Sequence, residues 1–445
     1  MNLKKIKLSS LFIILNTFVL FTSVLFIEEI YKLQFSESEY FKNQALSNRQ
    51  KVEVIEAKRG SILDREFNEV SETINAFNIG IYPEKIDDKE LVSQLLAPLL
   101  QLDKAVIFER LNNNKNYFYL KRNIDFETGT KIKNWNYSGI NVEKSSKRII
   151  YSDSLTQIIG HVDPDGNGIE GLELYFDNSL KGTDGELRYE AAPNGDFIPQ
   201  GKSSILDPVH GEDLILSIDS ELQYISEDLC SEALQITQAF KCSVVFMNAE
   251  NGEIIISAEK SSINNKYFDI NLISGRALYE PGSALKIFTV GALLQNDEVN
   301  ENDTYYVEDK IEIIEESCNK TYEGLKGCFR DFLKHEPYEL TVKEIIERSS
   351  NVGTIKITKN SDVSEIENFL MKFGFGKKTG VELTGETRGG FVDYKRCVTC
   401  LSSLSIGYSV NVSQYQMVRA YSIIANGGND VKLTLTQKDN VDVED

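Results

Sequence analysis

The stretch Tyr279-Glu-Pro-Gly-Ser283-Ala-Leu-Lys286 constrains this chain more than any other, because it sets a hydroxyl and an amine one helical turn apart. Pro281 and Gly282 interrupt whatever precedes them, and the apolar run 284–294 reads as a buried helix. Ser283 therefore sits near a helix N-terminus, where free N–H groups and the positive end of the dipole favour developing negative charge. Lys286, three residues on, shares its face. A lysine stripped of water beside other donors loses its proton near neutral pH and can then deprotonate a serine. The spacing alone also suits an ordinary solvated helix start, so it needs a second element.

That element is Glu347-Arg-Ser349-Ser350-Asn351-Val352-Gly353, expected at the end of a helical segment over 340–348. Ser349 can relay a proton between the lysine and a leaving amine. Asn351 can donate to a substrate carbonyl and also hold the lysine. As a bare helix end, the same stretch would place Asn351 in the left-handed conformation that closes many helices. Ser-x-x-Lys followed by Ser-x-Asn is the ordered signature of penicillin-recognising acyl-transfer enzymes.

From the N-terminus to about residue 436 the chain resembles the class B penicillin-binding proteins, membrane-anchored transpeptidases that cross-link peptidoglycan. Arg59-Gly-Ser-Ile-Leu-Asp64-Arg65 and Gly168-Ile-Glu-Gly171-Leu-Glu173 through Gly182 look like that family's two pedestal motifs. Tyr119-Leu-Lys-Arg122 and Lys147-Arg148-Ile-Ile-Tyr151 match weaker patterns between them. Three positions depart: Glu66-Phe67 replaces the usual Asn-Gly, and Ser152 replaces a proline. Arg59, Asp64 and Glu173 are expected to form fold-holding ion pairs rather than to take part in chemistry.

The resemblance implies an α+β fold: an N-terminal transmembrane helix, a β-rich pedestal or dimerisation domain, and an incomplete β-lactamase/transpeptidase-like domain. The expected boundaries are a cytoplasmic tail over 1–10, a membrane helix over 11–27, a stalk over 28–50, the pedestal over 51–205 and the transpeptidase domain over 206–445. By the same resemblance Ser283 is the nucleophile, Lys286 its base, Ser349 the proton relay and Asn351 the residue that positions the peptide. No metal or organic cofactor is implied. The implied partners are D-Ala-D-Ala stem peptides, β-lactams, a membrane glycan polymerase and other division proteins. Ser-Ser-Asn-Val-Gly is closer to the division-specific branch than to the elongation branch, which tends to carry Asp at position 351.

The family's third element, Lys-Thr-Gly on an edge strand, is expected to be missing. Lys378-Thr379-Gly380 spells it but lies in a glycine-rich turn, Phe373 to Glu386, that resembles a different family segment. The expectation is thus a catalytic domain truncated before that motif, since 437–445 reads as no core strand. Two other classes stay open: a division-complex scaffold with a dead catalytic half, and a β-lactamase or β-lactam sensor.

Lys4, Lys5 and Lys7 precede the apolar segment and Glu28 and Glu29 follow it, which orients the N-terminus to the cytoplasm and the bulk to the periplasm. No small-x-small cleavage site follows, favouring an uncleaved anchor. A formal net charge of −20 argues against nucleic acid as a partner. Of six cysteines, Cys318 and Cys328 suit a loop staple and Cys397-Val-Thr-Cys400 is a suggestive pair. A zinc site would need both pairs to converge, with no histidine close by. Asn251-Gly252, between two β-rich runs, is the best hairpin signal.

Overall fold

The computed structural model describes residues 3–37, 39–40, 50–192, 198, 203–263, 266–268, 274–319, 327–393 and 397–437. The run 438–445 therefore lies outside the described residues. The chain divides into two compact units, one of residues 1–58 with 182–211 and one of residues 59–181 with 212–445.

The first unit begins with one helix, Leu3–Tyr31, which continues into a short π-helical turn, Lys32–Ser36. Within it Phe12–Phe35 is a 24-residue stretch long and apolar enough to cross a bilayer once. Its described apolar side chains find no protein to pack on, so lipid is the environment that suits them. The remainder is an antiparallel three-stranded sheet with Gly185–Glu190 between Gln50–Ile55 and Ser203–Leu206.

In the second unit the long strand Glu69–Ile81 organises the pedestal portion. It pairs antiparallel with Ile140–Ile150 along eleven consecutive residues, and with Phe118–Asp125 on its other edge. Phe77, Ile79 and Ile81 pack against two helices, Lys89–Leu100 and Lys104–Asn113. Each helix starts at an aspartate, Asp88 or Asp103, whose side chain accepts from a first-turn N–H.

The two pedestal motifs meet in a buried charge cluster. Arg59 Nε donates to Glu173 Oε2 at 2.7 Å, Arg59 Nη1 to Asp177 Oδ1 at 2.7 Å, and Arg148 Nε to Glu173 Oε1 at 2.6 Å. With Glu173 fully buried, deleting one partner would strand a charge at a cost of about 3–5 kcal/mol. Asp64 differs from expectation: among the described residues it pairs with no cation and instead ties a turn. Its carboxylate accepts from the Glu66 and Asn68 N–H groups and from Ser220 Oγ. These neutral donors hold it below the usual carboxylate range against the opposing effect of burial.

Beyond the pedestal, helix Ser220–Thr237 is capped by Asp219, whose side chain accepts from the Glu221 and Leu222 N–H groups. The hairpin is present: Lys241–Met247 pairs antiparallel with Ile254–Ile263, and Gly252 takes φ +81° in its turn. The chain enters this part through the short strand Leu214–Ile215, followed by a bridge from Leu216 to Thr436. Leu433 and Leu435 fill the core around Ile254 and Leu216. All six cysteines are paired, as Cys230–Cys242, Cys318–Cys328 and Cys397–Cys400. The first pair, which ties helix Ser220–Thr237 to strand Lys241–Met247, had no sequence reading.

Phe67 stands where the family's turn carries glycine, and the backbone shows why that matters: its φ is +64° with the ring 61% exposed. A left-handed L-residue costs about 1–2 kcal/mol, part of which glycine gives back as unfolded-state entropy. Phe67→Gly should therefore raise unfolding stability by about 0.5–1 kcal/mol, measured by chemical denaturation.

Candidate active site

Ser283 lies in a 3-10 turn, Gly282–Leu285, that feeds helix Lys286–Gln295. Tyr279 and Val412 exchange two backbone hydrogen bonds of 3.0 Å, which fix the approach to the turn. Gly282 N–H then donates to Gly407 carbonyl oxygen at 2.9 Å. Gly407 takes φ +86°, and a Cβ there would run into the Gly282 carbonyl, so only glycine permits this approach. Tyr421 hydroxyl closes the far side by donating to Ala284 carbonyl oxygen at 2.8 Å. The result is an exposed Ser283 on a braced turn.

Lys286 is the opposite, with 2% exposure. Its Nζ donates to Ser349 carbonyl oxygen at 2.6 Å and Asn351 Oδ1 at 2.7 Å, with Ser349 Oγ at 3.3 Å. The two motifs are thus joined through one amine. Ser283, Ser349 and Asn351 line a single cleft of about 1100 Å³, with Tyr408, Arg348 and His335 among its walls. Burial pulls the Lys286 ammonium down to about 8, with the charge of Asp331 opposing.

The segment around Ser349 departs in detail from its sequence reading. Tyr338–Thr341 is a strand, and the helix is Val342–Glu347, opened by a Thr341/Glu344 capping box. The left-handed residue is Ser349, at φ +54°, rather than Asn351. Asn351 instead begins the next helix, Asn351–Thr358, capped by Ser350. The left-handed step is what aims the Ser349 carbonyl back at the lysine.

Asp331 carried no motif and is the residue that sequence reasoning missed. It accepts from Ser350 Oγ at 2.8 Å and Val352 N–H at 2.9 Å, while the carbonyl of Arg330 accepts from Asn351 Nδ2 at 2.8 Å. Its one sequence clue is position: it follows Cys328, whose disulfide closes the preceding insertion.

Lys378-Thr379-Gly380 does not border the cleft. Thr379 is buried, with its N–H and hydroxyl both bonded to Glu386, and Gly380 N–H reaches the same carboxylate. This is a structural turn rather than an edge strand. Among the described residues no group of three or more His, Cys, Asp or Glu could hold a metal ion.

Residues 54–216 match the penicillin-binding protein dimerisation domain, and residues 242–444 match the penicillin-binding protein transpeptidase domain. The chain thus joins the two domains of the penicillin-binding proteins. It is 30% identical over 389 residues to the peptidoglycan D,D-transpeptidase FtsI of Buchnera aphidicola, covering 83% of this chain and 65% of that protein. It is 26% identical to stage V sporulation protein D of Bacillus subtilis, covering 84% of this chain and 58% of that one. The chain thus spans less than two thirds of the length of these curated relatives. Among solved structures, a complex of penicillin-binding protein PBP2 with MreC from Helicobacter pylori matches with a TM-score of 0.71 at 20% identity, over 88% of this chain and 80% of that one. That likeness concerns the fold.

With the amine at about 8, Lys286 is mostly an ammonium at neutral pH. Acylation of Ser283, whatever its absolute rate, should climb roughly tenfold per pH unit below that value and level off above it. The linked stability has the same sign. The folded chain holds the amine below its unfolded 10.5 and so binds fewer protons between the two values, where stability rises with pH. Stopped-time labelling with a β-lactam across pH 6–10 checks the first (about four units), and denaturation at matched pH the second.

Proposed function

We propose that this protein is a peptidoglycan D,D-transpeptidase of septal wall synthesis, acting through a serine acyl-enzyme. The observation that carries the reading is the buried Lys286 amine, shared between Ser349 and Asn351 in the cleft that Ser283 lines.

Neutral Lys286 takes the Ser283 proton as the serine oxygen attacks the carbonyl of the penultimate D-alanine. The tetrahedral intermediate collapses with cleavage of the C–N bond. Ser349 passes a proton to the departing amine, and terminal D-alanine leaves. An acceptor amine then attacks the ester, the new amide forms, and Ser283 recovers its proton. Asn351 holds the lysine through its Oδ1 and orients the donor peptide. A β-lactam would acylate Ser283 as a mimic of D-Ala-D-Ala and remain there because its leaving group stays tethered.

Asn at position 351 supports the division-specific branch, so the proposed partners are a membrane glycan polymerase and other division proteins. The proposed layout keeps the tail 1–10, membrane helix 11–27, stalk 28–50, pedestal 51–205 and transpeptidase domain 206–445, with the N-terminus cytoplasmic and the bulk periplasmic. Lysines before the apolar helix and acids after it support that orientation.

The described walls of the Ser283 cleft include no lysine–hydroxyl–glycine strand to grip a substrate carboxylate and complete an oxyanion hole. Losing one oxyanion donor costs about 100- to 1000-fold in rate. The 445-residue polypeptide expressed alone should therefore label slowly with a fluorescent penicillin, and the label should vanish in Ser283→Ala and Lys286→Ala. Label that persists in Ser283→Ala refutes the nucleophile. For topology, a reporter fused after Gln34 should be active only as a periplasmic fusion; cytoplasmic activity refutes the orientation.

A further inference from the structure

The turn that presents Ser349 is strained and needs holding. Ser349 sits at φ +54°, a conformation that costs an L-residue about 1–2 kcal/mol. Two backbone bonds, Ser349 N–H to Ile346 carbonyl at 3.0 Å and Ser350 N–H to Ile345 carbonyl at 3.0 Å, tie it to the preceding helix. On its other side the tether is a carboxylate from a different segment. Asp331 Oδ2 takes the Ser350 hydroxyl and Oδ1 takes the Val352 N–H, so one side chain spans the turn. Ser350 Oγ in turn accepts from Gly353 N–H at 2.8 Å, which caps helix Asn351–Thr358.

Asp331 is itself held. Its side chain is 9% exposed, and His335 Nε2 lies 3.1 Å from Oδ2. His335 stacks on Tyr338, and its other nitrogen lies 3.0 Å from Glu336 carbonyl oxygen. Burial alone would pull the His335 imidazole down, but the bonds to Glu336 and Asp331 raise it above the ordinary histidine value. The other charged groups facing this cluster are Asp309, which acts on His335, and Arg330, Lys334 and Arg348 around the cleft. Against those cations, Asp331 is the acid whose charge reaches Lys286.

We infer that Asp331 is a positioning residue for the Ser283 site: its carboxylate pins the Ser349–Asn351 turn through Ser350 and Val352, and sets a fixed negative charge near the Lys286 amine. The inference rests on the assignment of Lys286 as base. Two effects follow that separate on mutation. The hydrogen bonds keep the Ser349 carbonyl and the Asn351 amide over the amine, closing it off from solvent. The charge favours the ammonium, so Asp331 moderates the base that burial would otherwise weaken further.

Competitive acetylation with acetic anhydride across pH, read peptide by peptide by mass spectrometry, reports the titration and accessibility of Lys286 without needing turnover. In the full chain in detergent micelles, Asp331→Asn keeps an acceptor for Val352 and a donor for Ser350 but removes the charge. The Lys286 midpoint should fall by about half a pH unit. Ser350→Ala keeps the charge and cuts the tether, so the midpoint should hold while Lys286 acetylates several-fold faster. Asp309→Asn, a charge lost beyond His335, should change neither. An unshifted midpoint in folded Asp331→Asn, or unchanged Lys286 reactivity in Ser350→Ala, overturns the inference; the second holds even if Asp331→Asn fails to fold. β-Lactam acylation of Ser283 in the wild-type chain is followed in parallel. Its absence would count against the transpeptidase reading and leave the Lys286 result standing.

Discussion

A lysine amine with 2% exposure must be surrounded by acceptors or give up its charge, and the second half of this protein is arranged around that demand. Lys286 is held by the Ser349 carbonyl and the Asn351 side chain, groups more than sixty residues away in sequence. The left-handed Ser349, the helix restart at Asn351 and the carboxylate of Asp331 all serve to keep those acceptors in place. Ser283 needs less. It sits on the surface of the turn, and its position follows from backbone contacts made by Gly282, Tyr279 and Ala284.

The pedestal solves a different problem with similar means. Arg59, Arg148, Glu173 and Asp177 bring three separate sequence motifs into one buried cluster. Such clusters add little net stability over a well-packed apolar core, but they penalise any arrangement that leaves one member unpaired. The cluster therefore favours a specific relation between strand Ile140–Ile150, which carries Arg148, and helix Gly171–Tyr175, which carries Glu173.

That Lys286 would meet Ser349 and Asn351 beside the cleft that Ser283 lines was legible in the sequence, because the four residues fall at fixed spacings along two short segments. The hairpin at Asn251-Gly252 and the Cys318–Cys328 pair were legible for the same local reason. Asp331 was not, because its partners Ser350 and Val352 are some twenty residues downstream and an aspartate after an insertion carries no periodic signal. Asp64 was misread as an ion-pair member because a motif gives a residue type, while the choice between a cation and four neutral donors is made by the turn geometry. The left-handed Ser349 had no sequence signal, since only the bare helix-end reading placed a residue in that conformation, and there it would be Asn351.

The three disulfides join cysteines 12, 10 and 3 residues apart, each to its next neighbour along the chain. No bridge encloses another, and none waits for a distant partner. During synthesis each pair can therefore be oxidised as soon as its second cysteine emerges, before the following pair exists to compete. Of the fifteen ways to connect six cysteines, this is the one in which every cysteine pairs with its nearest neighbour in sequence, so oxidation in chain order reaches it without shuffling.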